Sequence, residues 1–166
     1  MNNIAMNNFA IRKARENETS DVLRFIRLLA DYEKLADEVE ATEETLRQSL
    51  FVRHEAEVVF AEVGGKKIGF ALYFFNFSTF VGRKGLYLED LFVLPEHRGH
   101  GYGKALLKYL AATALEQHCG RMEWVCLDWN RPSIDFYLSI GAKPMSNWTI
   151  YRLAEQALSD FAGKRH

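Results

Sequence analysis

The apolar positions of this chain fall into alternating and helical patterns that predict most of its elements. Phe9 to Lys13 reads as a short strand. From about Asn17 to Leu35, Val22, Ile26, Leu29 and Tyr32 recur at three- and four-residue spacing, which predicts an amphipathic helix. Thr42 is suited to cap a second helix, with Glu43 and Glu44 in the first turn, where the helix dipole favours acids. Val58 to Val63 and Lys67 to Phe75 read as strands joined by Gly64-Gly65, a hairpin signal. Leu86 to Leu94 is another strand. Leu107, Leu110, Ala111, Ala114 and His118 mark the inward stripe of a helix that ends at Gly120. Met122 to Leu127 reads as a buried strand, Pro132 to Ile140 as a short helix stopped by Gly141, and Trp148 to Leu153 as a last strand. The order β-α-α-β-β-β-α-β-α-β predicts an α/β domain with a mixed sheet.

Composition supports one domain. A chain of 166 residues, 48% apolar and 13% aromatic, can bury about 70% of its unfolded surface. No repeat, low-complexity stretch or linker interrupts it, and three prolines argue against a hinge. A single domain over 1–166 is expected, with flexible tails at 1–8 and 163–166. Disordered, collagenous and disulfide-stapled classes are excluded. Twenty-one Lys and Arg against 22 Asp and Glu give a formal charge of -1, so no global field grips nucleic acid or an anionic membrane. MNNIAMNN lacks the features of a secretory signal, and two cysteines make no framework. A cytoplasmic protein with reduced thiols is expected.

The chemistry concentrates in Glu89-Asp-Leu-Phe-Val-Leu-Pro-Glu-His-Arg-Gly-His-Gly-Tyr-Gly-Lys104. There a strand runs into a turn holding Gly99, Gly101 and Gly103, and a helix follows. Glycines let backbone N–H groups approach an anion, and a helix N-terminus adds partial positive charge. Arg98 and Lys104 flank the turn, which suits a phosphate or pyrophosphate. The dinucleotide fingerprint fails on spacing, and a Walker loop fails because Ala105 stands where Ser or Thr would hold magnesium. What fits is Arg-x-x-Gly-x-Gly after an apolar strand ending in Val-x-Pro. A tight strand–helix turn needing glycine for geometry alone is the plainer alternative.

These residues resemble the GCN5-related N-acetyltransferase (GNAT) superfamily over nearly the whole chain. Asp31-Tyr-Glu-Lys-Leu-Ala-Asp-Glu-Val39, Leu86-Tyr-Leu-Glu-Asp90 and Leu127-Asp-Trp-Asn-Arg-Pro-Ser-Ile-Asp-Phe-Tyr137 are similar to its spermidine/spermine (diamine) and thialysine acetyltransferase branch. The Glu-Lys-Leu, Ser78-Thr-Phe-Val-Gly-Arg83 and Leu-Asp-Trp-Asn segments are closer to the thialysine type. The resemblance implies the GNAT fold: a mixed, mostly antiparallel central sheet flanked by helices. It further implies direct transfer of an acetyl group from acetyl-CoA, as co-substrate, to an amine, without a metal.

The resemblance also implies roles for particular residues. Leu91, Phe92 and Val93 would pair the pantetheine arm through their backbone. Arg98, Gly99, His100, Gly101, Tyr102, Gly103 and Lys104 would take the pyrophosphate, and Asn130 and Ser133 would contact the same co-substrate. Tyr137 matches the general acid beside the thioester sulfur; by helical spacing alone it reads as a core aromatic. Asn130 is also suited to cap a helix, a compatible role. Glu89 matches the group that orders a water to take the amine proton. A regular strand puts only one of Glu89 and Asp90 in a given cleft; Asp90 is either a substrate contact or a structural hydrogen-bonding group. Glu33, beside Tyr32, matches a receiver of the distal ammonium; otherwise the acids from Asp31 to Glu40 are a solvated surface. Phe80 stands where the polyamine branch has tryptophan. Ser146-Asn-Trp-Thr lacks the glutamate of the polyamine enzymes, which favours a shorter diamine or a lysine analogue.

Two other signals fail. Glu96, His97 and His100 lack the further ligands a metal needs, and read as exposed loop residues. His118 and Cys119 are helix neighbours that point apart, so no thiol nucleophile is activated, and both cysteines read as buried packing. The expectation is an acyltransferase acting on a small amine with a second cationic group, as a homodimer, without nucleic-acid or membrane partners. Acetylation of a protein or peptide, and a non-catalytic acyl-CoA-binding sensor, are the alternatives.

Overall fold

The computed structural model describes residues 8–164; the rest of the expected tails, 1–7 and 165–166, lies outside the described residues. The chain divides into two units after Val125, and each is described by itself.

The first unit is built on a sheet of five strands in the order β1-β2-β3-β4-β5. These are β1 (Phe9–Lys13), β2 (Glu57–Val63), β3 (Lys66–Ser78), β4 (Arg83–Val93) and β5 (Met122–Trp124). The first four pair antiparallel, and β5 joins β4 in parallel. Gly64 and Gly65 both take left-handed φ (57° and 77°), as a two-residue hairpin turn with the twist of its strands demands.

Helix α1 (Thr19–Glu33) covers one face of the sheet. Its Val22, Phe25 and Leu29 pack against Phe60, Phe70, Leu72 and Phe92, all buried. A left-handed Lys34 ends it (φ 61°), sending its N–H back to Ala30 and Asp31. Thr42 caps α2 (Glu43–Arg47) as expected, its Oγ1 accepting from the Thr45 N–H at 3.1 Å. Helix α3 (Tyr102–Glu116) packs against β3 and β4. A Cβ at Gly103 would lie 3.9 Å from Leu91 and 4.0 Å from Val93, so α3 covers the face opposite Phe92. Its buried stripe is Leu106, Leu107, Leu110 and Ala114; the expected Ala111 and His118 are exposed, the latter beyond the helix end.

The second unit holds α4 (Arg131–Ser139) and α5 (Glu155–Phe161). Asn130 caps α4 through its Oδ1, which accepts from the Ser133 N–H at 3.4 Å. Two expectations are corrected. Strand β5 stops at Trp124 rather than Leu127, and residues 148–153 form no strand. Trp148, Ile150, Tyr151 and Leu153 alternate with polar residues, yet all are exposed and none enters a ladder. Alternation predicts a strand only where a neighbour supplies backbone partners.

Candidate active site

Strand β4 changes character at Glu89. Up to Leu88 it lies between β3 and β5, with Leu88 paired to Tyr73 on one side and Trp124 on the other. Beyond it the register with β3 jumps: Tyr73 faces Leu88, Leu72 faces Asp90, and Glu89 faces no one. Glu89 is therefore the extra residue of a β-bulge, where strict alternation is suspended. Residues directly opposite in an antiparallel pair share a face. Asp90 thus shares a face with Leu72, and Phe92 with Phe70, which is the face α1 covers. Without the bulge, Asp90 would lie on the α3 face. The bulge also coincides with the end of β5, so from 89 to 93 no strand lies on that side of β4 among the described residues.

The C-terminal end of α1 meets this stretch of β4. Tyr32 brings its ring to 6.4 Å from that of Phe92, and Glu33 follows, half-buried. Burial pushes the Glu33 carboxyl up. Asp90, half-buried, is pushed up to about 7, first by burial, then by the like charges of Glu89 and Glu33. Glu89 itself is exposed. Glu33, expected at the end of the first helix, and Glu89, expected beside Asp90 on a regular strand, both lie close enough to Asp90 to act on it as like charges. The residues flanking the two acids, Leu86 to Leu88 and Leu91 to Val93, are apolar at successive positions, so the change of phase left no trace in the hydropathy pattern.

The segment after β4 folds back over the same face. The Arg98 Nε donates to the Val93 carbonyl at 2.9 Å, and its guanidinium carbon lies 4.8 Å from the Tyr32 ring centre and 5.0 Å from that of Phe92. The sequence marked Arg98 only as an anion ligand; its stacking on Tyr32 needed the tertiary fold to be seen. Gly99 and Gly101 are left-handed (φ 79° and 85°), with open space where a Cβ would stand. Gly101 caps α3 without a side-chain bond, and the first turn carries no acid. Its N–H groups are left without a side-chain cap, a favourable setting for an anion. Gly103 is neither left-handed nor crowded, so the chain itself has no need of glycine inside this helix, where it costs about 0.5–1 kcal/mol. His100 is exposed, its ring 5.9 Å from that of Tyr102, and Lys104 is exposed in the first turn.

Phe80 is set apart from the acids. It sits in the turn between β3 and β4, 97% exposed, and Arg83 beside it is about 23 Å along the strand from Asp90. In the second unit, Tyr137 lies half-buried in α4, its ring 5.8 Å from that of Phe136. Among the described residues no group of three or more His, Cys, Asp or Glu could hold a metal. Both cysteines are half-buried rather than buried.

A β4 edge left open beyond a bulge, followed by an uncapped glycine-flanked helix start, fits an enzyme of the acetyltransferase class. The chain belongs to the acetyltransferase (GNAT) family, whose model matches residues 22–142. It is 38% identical over 166 residues to a thialysine N-epsilon-acetyltransferase of Sus scrofa, covering 93% of this chain and 97% of that one. The corresponding enzyme of Caenorhabditis elegans is 31% identical over 95% of this chain and 99% of its own. Among solved structures, an integron cassette protein from the mobile metagenome of V. cholerae superimposes with a TM-score of 0.78 at 29% identity, covering 93% of this chain and 98% of that one. No described helix is long and apolar enough to cross a membrane.

Proposed function

We propose that this acetyltransferase uses acetyl-CoA to acetylate a small amine bearing a second cationic group, such as thialysine, a lysine analogue or a short diamine. The observation that carries the reading is the pairing of two oppositely charged regions around the C-terminal end of β4. The uncapped α3 start with Arg98 and Lys104 suits a polyanion, and Glu33, Glu89 and Asp90 suit a dication. The thialysine relatives support the substrate class.

The residues fit the co-substrate. Gly103 is explained if a phosphate must approach the first turn of α3 closely, and the β4 edge at Leu91, Phe92 and Val93 leaves backbone groups for an extended arm. When bound, acetyl-CoA supplies an acyl carbon activated as a thioester. Gly99 to Lys104 would hold its pyrophosphate through backbone N–H groups and the Lys104 ammonium, with Arg98 at the rim. Asn130 and Ser133 are proposed as further contacts. The Tyr137 Oη is the proposed donor of the proton taken up by the departing sulfur, and Glu89 orders the water that meets the amine proton. Tyr32, Glu33 and Asp90 orient the amine, and Phe80 is a proposed aromatic contact. The chain is proposed to act as one catalytic domain in the cytoplasm, as a homodimer; a monomeric mass from solution scattering would contradict the last point.

Thiol release from acetyl-CoA, followed with thialysine, short diamines, polyamines and a lysine peptide, tests the function. Turnover should be highest with thialysine or a short diamine. Efficient acetylation of the peptide with none of the small amines would overturn the substrate class. Tyr137→Phe should lower kcat by about 10²–10⁴-fold while acetyl-CoA binding stays nearly intact; wild-type turnover would remove Tyr137 from its role.

A further inference from the structure

We propose that Asp90 is the carboxylate on which the amine proton comes to rest, with Glu89 as the exposed group that holds the intervening water. The inference rests on the acetyl-transfer reading above and deepens it.

The geometry separates the two acids. Glu89 is the unpaired residue of the bulge and is exposed, so a carboxylate there stays hydrated. Asp90 re-enters the ladder opposite Leu72, on the apolar face lined by Phe70 and Phe92 and covered by α1. A general base works best when its proton affinity suits the operating pH, and burial beside like charges is the usual means of raising a carboxyl to that range. Asp90 has that environment, being pushed up to about 7. The charged and titratable groups packed around this face come from three elements. Glu89 is on its own strand, Tyr32 and Glu33 are at the end of α1, and Arg98 is in the following segment. Strand β3 presents Leu72. The Arg98 guanidinium is spread over the Tyr32 and Phe92 rings with its Nε on the Val93 carbonyl, while Glu33 and Glu89 both act on Asp90 in the direction of proton uptake.

The step balances. The amine arrives as an ammonium and gives one proton, through the water at Glu89, to an Asp90 carboxylate oxygen, leaving a neutral amine and a neutral Asp90. The nitrogen lone pair forms the new C–N bond to the acyl carbon as its C–S bond breaks. The sulfur takes a proton from the Tyr137 Oη, and the second nitrogen proton restores that phenol. Asp90 releases its proton to solvent, so each turnover liberates one proton.

The test is the pH dependence of kcat/KM for thiol release with a diamine, which reports the free enzyme. Wild type should show an acid-side inflection near pH 7. Asp90→Asn should lose that inflection and at least about 100-fold in kcat, with acetyl-CoA affinity unchanged. Glu89→Gln and Glu33→Gln should each keep the inflection but move it to lower pH, because each removes a like charge from Asp90. The Glu33→Gln shift reads the same group if Asp90→Asn does not fold. An Asp90→Asn enzyme that keeps the inflection and turns over within a few-fold of wild type would overturn the proposal. So would an inflection abolished by Glu89→Gln or unmoved by Glu33→Gln. A wild-type protein that releases no thiol with any amine would instead overturn the acetyl-transfer reading.

Discussion

The two ends of α1 both carry buried or half-buried acids, but treat them in opposite ways. At the N-terminal end, Glu18 is 8% exposed and fully engaged. Its carboxylate accepts from Arg12 at 2.7 and 2.8 Å and from the Arg15 N–H at 2.9 Å, and pairs with Lys67 at 3.0 Å. Arg12 also reaches Glu62, and Lys67 reaches Asp21 at 3.1 Å. The Arg12 guanidinium, more than any other partner, holds the Glu18 carboxyl far below the usual range. The helix dipole favours an anion at this end. At the C-terminal end the dipole opposes one; burial pushes Glu33 upward, and burial followed by the like charges of Glu89 and Glu33 pushes Asp90 upward. One end is a closed network that holds β1, β3 and α1 together. The other is a set of carboxyls that the cationic substrate proposed above would compensate.

That contrast is broken most sharply at Glu18. Glu18→Gln removes the carboxylate that Arg12 and Lys67 share, leaving them only Glu62 and Asp21 among the described residues, and should cost about 2–3 kcal/mol, a fall in Tm of roughly 4–12 °C. Acetyl-transfer kcat should not change. A loss of activity without loss of stability would reverse the roles of the two ends.

Asp90→Asn should do the opposite to stability. A carboxyl whose folded pKa is raised lets the native state hold more protons than the unfolded chain between about pH 4 and 7, so stability falls as pH rises through that window. Relieved of this, Asp90→Asn should be more stable than wild type by about 1–2 kcal/mol at pH 8, allowing for solvent screening, and nearly equal to it at pH 4. Urea unfolding at both pH values measures the difference. Glu18 contributes with the opposite sign: its stabilisation is complete above the usual carboxylate range and is lost as the solution is acidified further.

A smaller effect is expected at Gly103. Gly103→Ala should stabilise α3 by about 0.5–1 kcal/mol while weakening acetyl-CoA binding, seen as a higher Tm with a higher KM. Unchanged affinity would leave the glycine without a ligand-based reason. Smallest of all, Glu44→Gln should leave both Tm and kcat where they are, since its contact with Arg47 is fully exposed.

Much of this was legible in the chain, unevenly. The α1 stripe of Val22 and Leu29, the Thr42 cap and the Gly64-Gly65 turn are local signals, and each is realised locally. The glycine turn before α3 and the family to which it points were readable for the same reason. The bulge at Glu89 was not, because it is a property of register between β3 and β4, and the apolar runs on either side of Glu89-Asp90 look alike in either phase. Nor was the Glu18 network, whose members lie far apart in sequence. The apolar alternation from Trp148 to Leu153 misled in the other direction, since it records side-chain preference and says nothing of which edge is available.

The carboxyl-rich end of α1 is proposed to meet a second positive charge on the substrate. The direct measurement is the ratio of kcat/KM for a short diamine to that for the monoamine of equal chain length, in wild type and in Glu33→Gln. A preference of about tenfold or more for the diamine, worth about 1.4 kcal/mol or more, is expected in the wild type and should shrink towards one in Glu33→Gln. Equal efficiency on both amines in the wild type, or a preference untouched by Glu33→Gln, would contradict it.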